Sequence, residues 1–427
     1  MEIRTHAASV VGAHAVCVEV EVSSAPRAAY LDIVGLPAPA AREARVRTRA
    51  ALTNSGLDAA WQVAIRIEPE RLRKRAATLD LAIAVALHAM ANPDVRTERL
   101  DTTLLFGELS LSGELRRGRG LIPQLIEARS RGLAAAVVPH SQLGEAALVD
   151  GITVHGARTL VEVVDFLAGR ASLPVTNTTG PVGALPEELP PVKGLDAAKR
   201  ALMIAAAGGH HVLLIGPPGA GKTMLARRVT QWMPTPSPEE ALEIAAIQSA
   251  AGFEVAAAIR RPFRAPHHTA SVTALVGGGD PISPGEVSLA HRGVLFLDEL
   301  PEFSTAAMRA VLMTARERQV AVVRGGARVV MPANALIIAA MAACPCGMRG
   351  LPNRSCLCSE QRIAAYRSRV PLDAFDLHVN LGEAPWEPEQ YRGHDRLYRV
   401  AQTIARVDGR PRPTTDDVDE AMRYRLA

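Results

Sequence analysis

The segment that most constrains the fold of this chain is HVLLIGPPGAGKTMLARR, which begins at His211. Four apolar residues, Val212 to Ile215, predict a buried strand, and the residues after Lys222 predict a helix. The glycine-rich stretch between them fits the pattern GxxxxGK[ST], in which a tight loop joins a strand to a helix. Such a unit is expected to lie in a parallel sheet that helices cover, so the sequence predicts an α/β fold.

This loop predicts a site for a nucleoside triphosphate, because its backbone N–H groups and the start of the helix attract phosphate. Lys222 is expected to contact the β- and γ-phosphates, and the Thr223 hydroxyl to bind Mg²⁺. The chain has four lysines among 48 basic residues, so a lysine kept where arginine fits badly is informative. The predicted cofactors are ATP and Mg²⁺, and the predicted contacts are Gly216, Pro217, Pro218, Gly219, Ala220, Gly221, Lys222, Thr223, Met224 and Asp298.

The segment GVLFLDELPEF supplies the second half of this site, about 75 residues after the loop. Val294 to Leu297 predict another buried strand, which ends at Asp298 and Glu299. Asp298 is expected to hold Mg²⁺ through water, and Glu299 to polarise the water that attacks the γ-phosphate. An acidic pair after a strand is common on protein surfaces, but its place downstream of the loop favours the catalytic interpretation.

The chain of 427 residues is long enough for about three domains. Residues 1–172 alternate strand-like runs, such as VCVEVEV and WQVAIRI, with helix-like runs, such as LDLAIAVALHAM. Residues 173–191 are rich in proline, glycine and threonine and predict a linker. A second α/β domain with the phosphate loop follows at 192–385, and residues 386–427 predict a small helical lid.

Composition limits the possible locations and partners of the protein. No window approaches the roughly 20 apolar residues of a membrane span, and the N-terminus lacks the layout of a signal peptide. We therefore expect a cytoplasmic protein without a membrane partner. The formal charge of +4 permits an anionic partner without demanding one. Because nearly all basic residues are arginine, a basic cluster alone is weak evidence for nucleic acid.

With both motifs present, the chain resembles the AAA+ ATPases of the magnesium-chelatase-like group, and within it the YifB/ComM family. The resemblance covers nearly the whole chain and depends on six segments in family order: VKGLDAAKRALMIAAAGGHHVLLIGPPGAGKTMLARR, RPFRAPHHTAS, GEVSLAHRGVLFLDELPEF, CPCG, CLC and FDLHV. It implies a first domain related in fold to the Lon protease domain. Proteolysis is not implied, because the helix LIPQLIEARSRG has no lysine to activate a nucleophile.

The resemblance also implies a hexameric ring that acts on DNA, since ComM members promote branch migration during natural transformation. A β-hairpin that projects towards the central pore is expected before the sensor strand, and RQVAVVRGGARVVMP fits it. Basic side chains of this hairpin and of RPFRAPHH are candidate phosphate contacts. They are Arg261, Arg264, His267, His268, Arg324 and Arg328. The alternative, that these are solvated side chains of an arginine-rich protein, stays open.

Two departures from the family bear on catalysis. Relatives read Ala-Met-Asn-Pro-Cys-Pro-Cys-Gly after the sensor strand, whereas this chain has Ala342 and Ala343 in place of Asn-Pro. The segment RVPLDAFDLHV is shortened and has Ala374 where the resemblance implies an arginine finger. Arg369 remains nearby, and Arg392 falls where a sensor arginine of the lid is expected. A finger contributes ~10³–10⁵ in rate. We therefore predict ATP binding with weakened or absent hydrolysis, unless Arg369 compensates.

Three hypotheses follow from the combination of an intact phosphate loop with alanines at these two positions. The first is a homo-oligomeric DNA motor in which Glu299, Lys222, Arg369 and Arg392 are catalytic. The second is a nucleotide-binding scaffold that serves an active paralogue, which the two alanines favour. The third is a chelatase-type subunit that remodels a protein partner.

Four of the five cysteines lie in one short stretch as Cys344-x-Cys346 and Cys356-x-Cys358. Four thiolates suit tetrahedral Zn²⁺, although one-residue spacing is tighter than the usual two to four. The alternative is four reduced thiols that pack a loop, and a disulfide is disfavoured in the cytoplasm. A metal at this place would brace the loop and take no part in catalysis.

Overall fold

The computed structural model describes residues 2–24, 31–69, 74, 76–95, 98–176, 180–189, 192–324, 327–349, 351, 354–382 and 394–426. The helices are α1 (Ala38–Asn54), α2 (Asp80–Ala91), α3 (Glu98–Thr102), α4 (Leu121–Ser130), α5 (Leu143–Ala146), α6 (Leu160–Leu167), α7 (Asp196–Gly208), α8 (Lys222–Trp232), α9 (Pro238–Ala251), α10 (Val272–Val276), α11 (Glu286–Leu289), α12 (Thr305–Glu317), α13 (Glu360–Arg367), α14 (His394–Val407) and α15 (Thr415–Leu426).

The strands are β1 (Glu2–Val11), β2 (His14–Ser24), β3 (Asp32–Val34), β4 (Val63–Glu68), β5 (Thr103–Leu105), β6 (Glu108–Leu109), β7 (Leu115–Arg116), β8 (Ala135–Pro139), β9 (Thr153–Ala157), β10 (Val182–Gly183), β11 (Val212–Ile215), β12 (Ala258–Ile259), β13 (Phe263–Arg264), β14 (Gly277–Gly278), β15 (Ser283–Pro284), β16 (Val294–Leu297), β17 (Gln319–Arg324), β18 (Ala327–Pro332), β19 (Leu336–Met341) and β20 (Leu377–Asn380).

The first sheet has seven strands in the order β3-β4-β2-β1-β5-β8-β9. Strands β1, β2 and β4 pair antiparallel, and β5, β8 and β9 continue the sheet in parallel. Alternation in β2 buries Val18, Val20 and Val22 completely, as the sequence pattern predicts for a strand covered on one face. Helix α2 is buried almost all round, which explains its continuous apolar sequence.

The second sheet is fully parallel, with the strand order β13-β16-β19-β11-β20. Every residue of β11, β16 and β19 is buried, because helices cover both faces of a parallel sheet. Ligands of such sheets bind outside the carboxyl ends of the strands. The residues that follow β11, β16 and β19 therefore meet at one edge, and these include the phosphate loop and the Asp298-Glu299 pair.

The two sheets are not independent units. The turn between β1 and β2 contacts the segment between β14 and β15, where the Gly12 N–H donates to the Ile282 carbonyl at 3.1 Å. Helix α4 packs on α9, so that Leu125 and Ile244 belong to one buried cluster. The segment predicted as a linker contains a short strand, β10, which pairs with β12. The boundaries at 172, 191 and 385 stay predictions.

The C-terminal segment is helical, as its sequence pattern predicts. Helix α14 packs on α7 and α15 on β20. Arg200 of α7 joins both, with ion pairs to Asp408 at 2.9 Å and to Glu420 at 3.1 Å. Arg392, predicted as a sensor of the lid, lies outside the described residues. Among the residues that the structure describes, no helix has the length and apolar character needed to cross a membrane.

Candidate nucleotide site

The phosphate loop connects β11 to α8 and curls around the ammonium group of Lys222. Gly219 and Gly221 have φ values of +81° and +87°, which favour residues without a Cβ atom. The Lys222 Nζ donates hydrogen bonds to the carbonyl oxygens of Gly216 at 2.8 Å and of Pro217 at 2.9 Å. The charged group thus lies inside the loop, where an incoming phosphate would meet it.

The two halves of the predicted site are in direct contact. The Thr223 hydroxyl donates to Asp298 Oδ2 at 3.0 Å, which links the start of α8 to the end of β16. Burial lowers the pKa of Lys222, and the charges of Asp298 and Glu299 oppose this shift. A hydroxyl and a carboxylate oxygen side by side are the donor types that Mg²⁺ prefers. Thr223 and Asp298 therefore fit the role of holding a Mg²⁺ ion beside the loop.

Glu299 is held in an unusual backbone conformation with its side chain towards solvent. Its φ is +53°, a value that is uncommon for a residue other than glycine. Its side chain is 65% exposed, and its Oε2 lies 3.3 Å from His268 Nδ1. Backbone strain of this kind is frequent at active sites, where surrounding contacts maintain it. The carboxylate is thus accessible beside the loop, as a residue that polarises water has to be.

The sensor position lies between these two halves. Strand β19 runs between β11 and β16, and the Gly216 N–H donates to the Met341 carbonyl at its end, at 3.1 Å. Ala342 comes next, and its methyl group offers no hydrogen bond to a ligand. The position after β19 therefore carries no polar side chain, whereas the family resemblance implies one there.

Arg369, the other predicted catalytic arginine, follows α13 and is exposed. Its Nη1 donates to the Pro301 carbonyl at 3.2 Å. It also lines a cavity of about 810 Å³ that opens beside His211 and Gly293, next to the amino ends of β11 and β16. No residue of the phosphate loop lines that cavity. Ala374 lines it too, where the family resemblance implies an arginine.

Comparison with known proteins agrees with this geometry. The family model for magnesium chelatase, subunit ChlI, matches residues 188–388, and a model for subunit ChlI of Mg-chelatase matches residues 18–142. YifB of Escherichia coli is 41% identical over 391 residues, which cover 90% of this chain and 76% of YifB. Competence protein ComM of Haemophilus influenzae is 36% identical over 409 residues, covering 93% of this chain and 79% of ComM. The chain belongs to the YifB/ComM family.

An uncharacterized protein of Mycobacterium tuberculosis is 39% identical over 500 aligned positions, which cover 99% of this chain and 98% of that relative. The magnesium-chelatase-like group has the AAA+ phosphate-loop fold, and the strand order observed here accords with it. For a YifB/ComM protein, an ATPase with ATP and Mg²⁺ as cofactors is the expected type.

The four clustered cysteines form a compact group beside the phosphate loop. All four sulfur atoms lie within 4.8 Å of one another, and Cys344 Sγ is 3.4 Å from Cys346 Sγ and 3.5 Å from Cys356 Sγ. Thiolates bound to one tetrahedral Zn²⁺ would be about 3.8 Å apart, given Zn–S bonds of about 2.3 Å. A Cβ on Gly347 would lie 3.0 Å from Pro218, so this loop touches the phosphate loop.

Two of the residues predicted to contact DNA form ion pairs within the chain. Arg261 has a side chain that is only 7% exposed, and its Nη2 lies 2.7 Å from Glu240. Arg264 makes two hydrogen bonds to Glu286, both at 2.7 Å. Each arginine would have to break its ion pair with a glutamate before it could contact DNA. The geometry thus favours a structural role for both, and places His268 at the nucleotide site.

The predicted hairpin is present as the antiparallel pair β17 and β18. Arg324 and Arg328 lie near its far end and are exposed. The Gly325-Gly326 turn between them lies outside the described residues. His267 is also exposed, and its Nδ1 lies 2.9 Å from the Thr269 hydroxyl. DNA contact by any of these residues stays a prediction.

Sequence reasoning missed one residue near the site, Arg367, at the end of α13. Its Nη2 donates to the Ala343 carbonyl at 3.2 Å. Ala343 belongs to the stretch in which the chain departs from the pattern that the family resemblance implies. In the sequence, only this departure from the family pattern indicated that residues from another part of the chain contact this segment.

Proposed function

We propose that this protein is a ring-forming ATPase of the ComM type that uses ATP to act on DNA. The observation that carries the proposal is the 3.0 Å contact of Thr223 with Asp298 beside the Lys222 loop. Two segments far apart in the chain thereby form one site with the parts that phosphoryl transfer needs. The DNA substrate and the ring are inferred from the similarity to ComM.

Each residue has a separate part in this mechanism. Lys222 and the loop N–H groups hold the phosphates, and Thr223 and Asp298 hold Mg²⁺, which neutralises charge that develops during transfer. Glu299 accepts hydrogen bonding from the attacking water and orients it towards the γ-phosphorus. His268, now 3.3 Å from Glu299, competes for the same carboxylate.

A second candidate, a nucleotide-binding scaffold with a catalytically active partner, has two specific observations in its favour. Ala342 has no side chain that can orient water, and Ala374 stands where the family resemblance implies an arginine. Under this alternative the phosphate loop still binds ATP, because binding depends on Lys222 and Mg²⁺. The two candidates therefore predict different rates of ATP turnover and the same affinity for ATP.

The deciding experiment combines affinity with turnover in the full chain. Calorimetry with a non-hydrolysable ATP analogue and Mg²⁺ should detect binding that Lys222→Ala abolishes. Steady-state ATP turnover, with and without single-stranded DNA, should then fall at least about a hundredfold in Glu299→Gln. Glu302→Gln, an exposed acidic neighbour, is the matched control. A wild-type rate that Glu299→Gln leaves unchanged, together with tight binding, would favour the scaffold.

We also propose that the four-cysteine cluster binds a structural Zn²⁺ ion. The sulfur separations support a tetrahedral site, and each ligand is a cysteine, which suits Zn²⁺. The ion would fix the loop that follows the sensor position and touches Pro218, and it would take no part in ATP chemistry.

A further inference from the structure

The β17–β18 hairpin packs on the rest of the chain through one of its two faces. In the described part of the chain it forms a sheet of its own, so side-chain packing fixes its position. Alternate residues of each strand point to opposite faces. The packed face includes Val320 and Met331, which pair at the base of the hairpin, and Val329, and all three are buried. Arg328 lies on the other face and is exposed.

A turn of the first sheet lies against this packed face. Gly12 and Ala13 join β1 to β2, and Ala13 is buried in the apolar cluster that contains Val329 and Met331. A Cβ atom placed on Gly12 would lie 2.6 Å from Val329 Cγ1 and 3.0 Å from Met331 Cγ. The Gly12 φ of +66° also favours glycine. The close approach of the turn to the hairpin therefore depends on the absence of a side chain at position 12.

The same turn and the base of the hairpin share a second neighbour. The Gly12 N–H donates to the Ile282 carbonyl at 3.1 Å, in the segment between β14 and β15. Strand β14 also approaches the hairpin, because a Cβ on Gly277 would lie 2.9 Å from Met331 Cε. The side chain of Met331 therefore packs between β14 and a turn that belongs to the other large sheet.

The chain connects this hairpin to both halves of the nucleotide site. Helix α12 joins the segment after Glu299 to β17, and β18 leads into β19. The end of β19 contacts the phosphate loop through the hydrogen bond from the Gly216 N–H to the Met341 carbonyl. An isolated two-stranded hairpin is only marginally stable. A load on its tip can therefore reach these elements only if its base is held.

We propose that the turn at Gly12 and Ala13 is a positioning contact for the β17–β18 hairpin, through which the first sheet determines how the hairpin engages DNA. This inference rests on the proposed action on DNA and gives the N-terminal part of the chain a role in it. Loosening the contact should leave nucleotide binding intact, since the turn contributes none of the residues that are proposed to hold ATP or Mg²⁺.

The test replaces Gly12 by alanine in the full chain. The added methyl group should displace Val329, so hydrogen exchange of the β17–β18 amides should quicken by about tenfold or more. Stimulation of ATP turnover by single-stranded DNA should be largely lost, while basal turnover and affinity for a non-hydrolysable analogue stay unchanged. Gly56→Ala is the matched control, because Gly56 has a φ of +67° and no described atom lies within 4 Å of an added Cβ.

A substitution on the hairpin separates this contact from strain at the turn. Val329→Ala removes the methyl group nearest to the added Cβ, so Gly12→Ala should do less damage in a Val329→Ala background than in wild type. Val329→Ala alone should also quicken exchange of the Gly12 amide, which tests the contact even if Gly12→Ala fails to fold. Val330→Ala, on the exposed face of the same strand, should leave that amide unchanged.

Three results would overturn the inference. The first is hairpin exchange that Gly12→Ala changes no more than Gly56→Ala does. The second is a loss of DNA stimulation in Gly12→Ala that is equally large in the Val329→Ala background, and the third is an unchanged Gly12 amide in Val329→Ala. If hairpin exchange responds to Gly12→Ala but wild-type turnover does not respond to DNA, the proposed action on DNA fails and the contact between turn and hairpin is confirmed.

Discussion

His268 Nδ1 lies 3.3 Å from Glu299 Oε2, so a residue of the RPFRAPHH segment contacts the carboxylate proposed to activate water. His268 is half-buried and its ring centroid lies 4.1 Å from that of His267. The segment contains β13, which is adjacent to β16 in the sheet. His268 can thus compete with a water molecule for one oxygen of this carboxylate.

We expect His268→Ala to raise basal ATP turnover by up to about fivefold, because a competing polar contact worth about 1 kcal/mol is removed from Glu299. Affinity for an ATP analogue should stay the same, since Lys222 and the loop are untouched. Steady-state kinetics without DNA measures the change. His267→Ala, which alters the exposed neighbour, serves as the control and should leave the rate near that of wild type. A slower His268→Ala enzyme would show instead that the contact supports catalysis.

Arg369 should act on the nucleotide of a neighbouring subunit. Its guanidinium lines a cavity to which its own phosphate loop contributes nothing. We expect Arg369→Ala to lower turnover of the assembly by at least about a hundredfold without changing analogue affinity. Arg362→Ala, an exposed arginine of the preceding helix α13, is the control. Mixing Arg369→Ala with Glu299→Gln subunits should recover part of the activity, since some interfaces then contain both intact residues. No recovery would argue for a role within one chain.

The parts of the site that local patterns define were predictable from the sequence. The loop around Lys222 and the Asp298-Glu299 pair are each set by a few consecutive residues, and their strands are continuous apolar runs. The contact of Arg367 with the Ala343 carbonyl was not predictable, because it joins a helix end to the segment after a strand through tertiary packing. The burial of Arg261 escaped prediction for the same reason, since its partner Glu240 lies on another element.

The segment predicted as a linker illustrates a second limit of prediction from sequence. Proline, glycine and threonine in residues 173–191 predict a break between two α/β units, and this stays a prediction. Composition could not reveal that Val182–Gly183 pairs with Ala258–Ile259, because a two-residue strand has no periodicity. Nor could it reveal that the turn at Gly12 contacts Ile282. Such contacts depend on how whole elements pack.

The β17–β18 hairpin offers the sharpest test of DNA binding. Arg324 and Arg328 are exposed near its far end. Replacing both by alanine should weaken binding to single-stranded DNA and reduce the slope of log affinity against log salt by about 1.4, since each phosphate contact on a single strand contributes about 0.7. Fluorescence anisotropy over a range of salt concentrations measures both effects. The Arg129→Ala/Arg131→Ala pair, on the first domain, is the control. An unchanged salt slope would assign DNA contact elsewhere.

Metal removal should test the cysteine cluster. We expect one Zn²⁺ per chain by elemental analysis of the purified protein, and loss of that zinc in Cys356→Ser. Because the loop at Gly347 touches Pro218, the loss should also weaken analogue binding. Cys17→Ser, on β2 of the first sheet, should keep its zinc. Full-length protein that binds the analogue normally with four titratable thiols in the cluster and no zinc would support reduced thiols packing the loop.

Asp80 should make stability depend on pH in a direction opposite to that of most carboxylates. Its side chain is fully buried next to Arg47, whose Nε lies 2.6 Å from Oδ2. Burial raises its pKa from 3.8 to about 6, although Arg47 opposes the shift. The folded chain therefore binds the proton more tightly than the unfolded chain. The stabilisation is complete below about pH 4 and is lost as the pH rises through about 6.

A shift of this size corresponds to about 3 kcal/mol in the free energy of unfolding. The amide of Asp80→Asn does not titrate, so between about pH 4 and about pH 7 this variant should gain that amount relative to wild type. Urea unfolding at several pH values measures the difference between the two proteins, which cancels the other carboxylates. Asp101→Asn, at an exposed position of α3, should show no such gain. A constant difference between Asp80→Asn and wild type across this range would mean that Asp80 stays ionised in the folded chain.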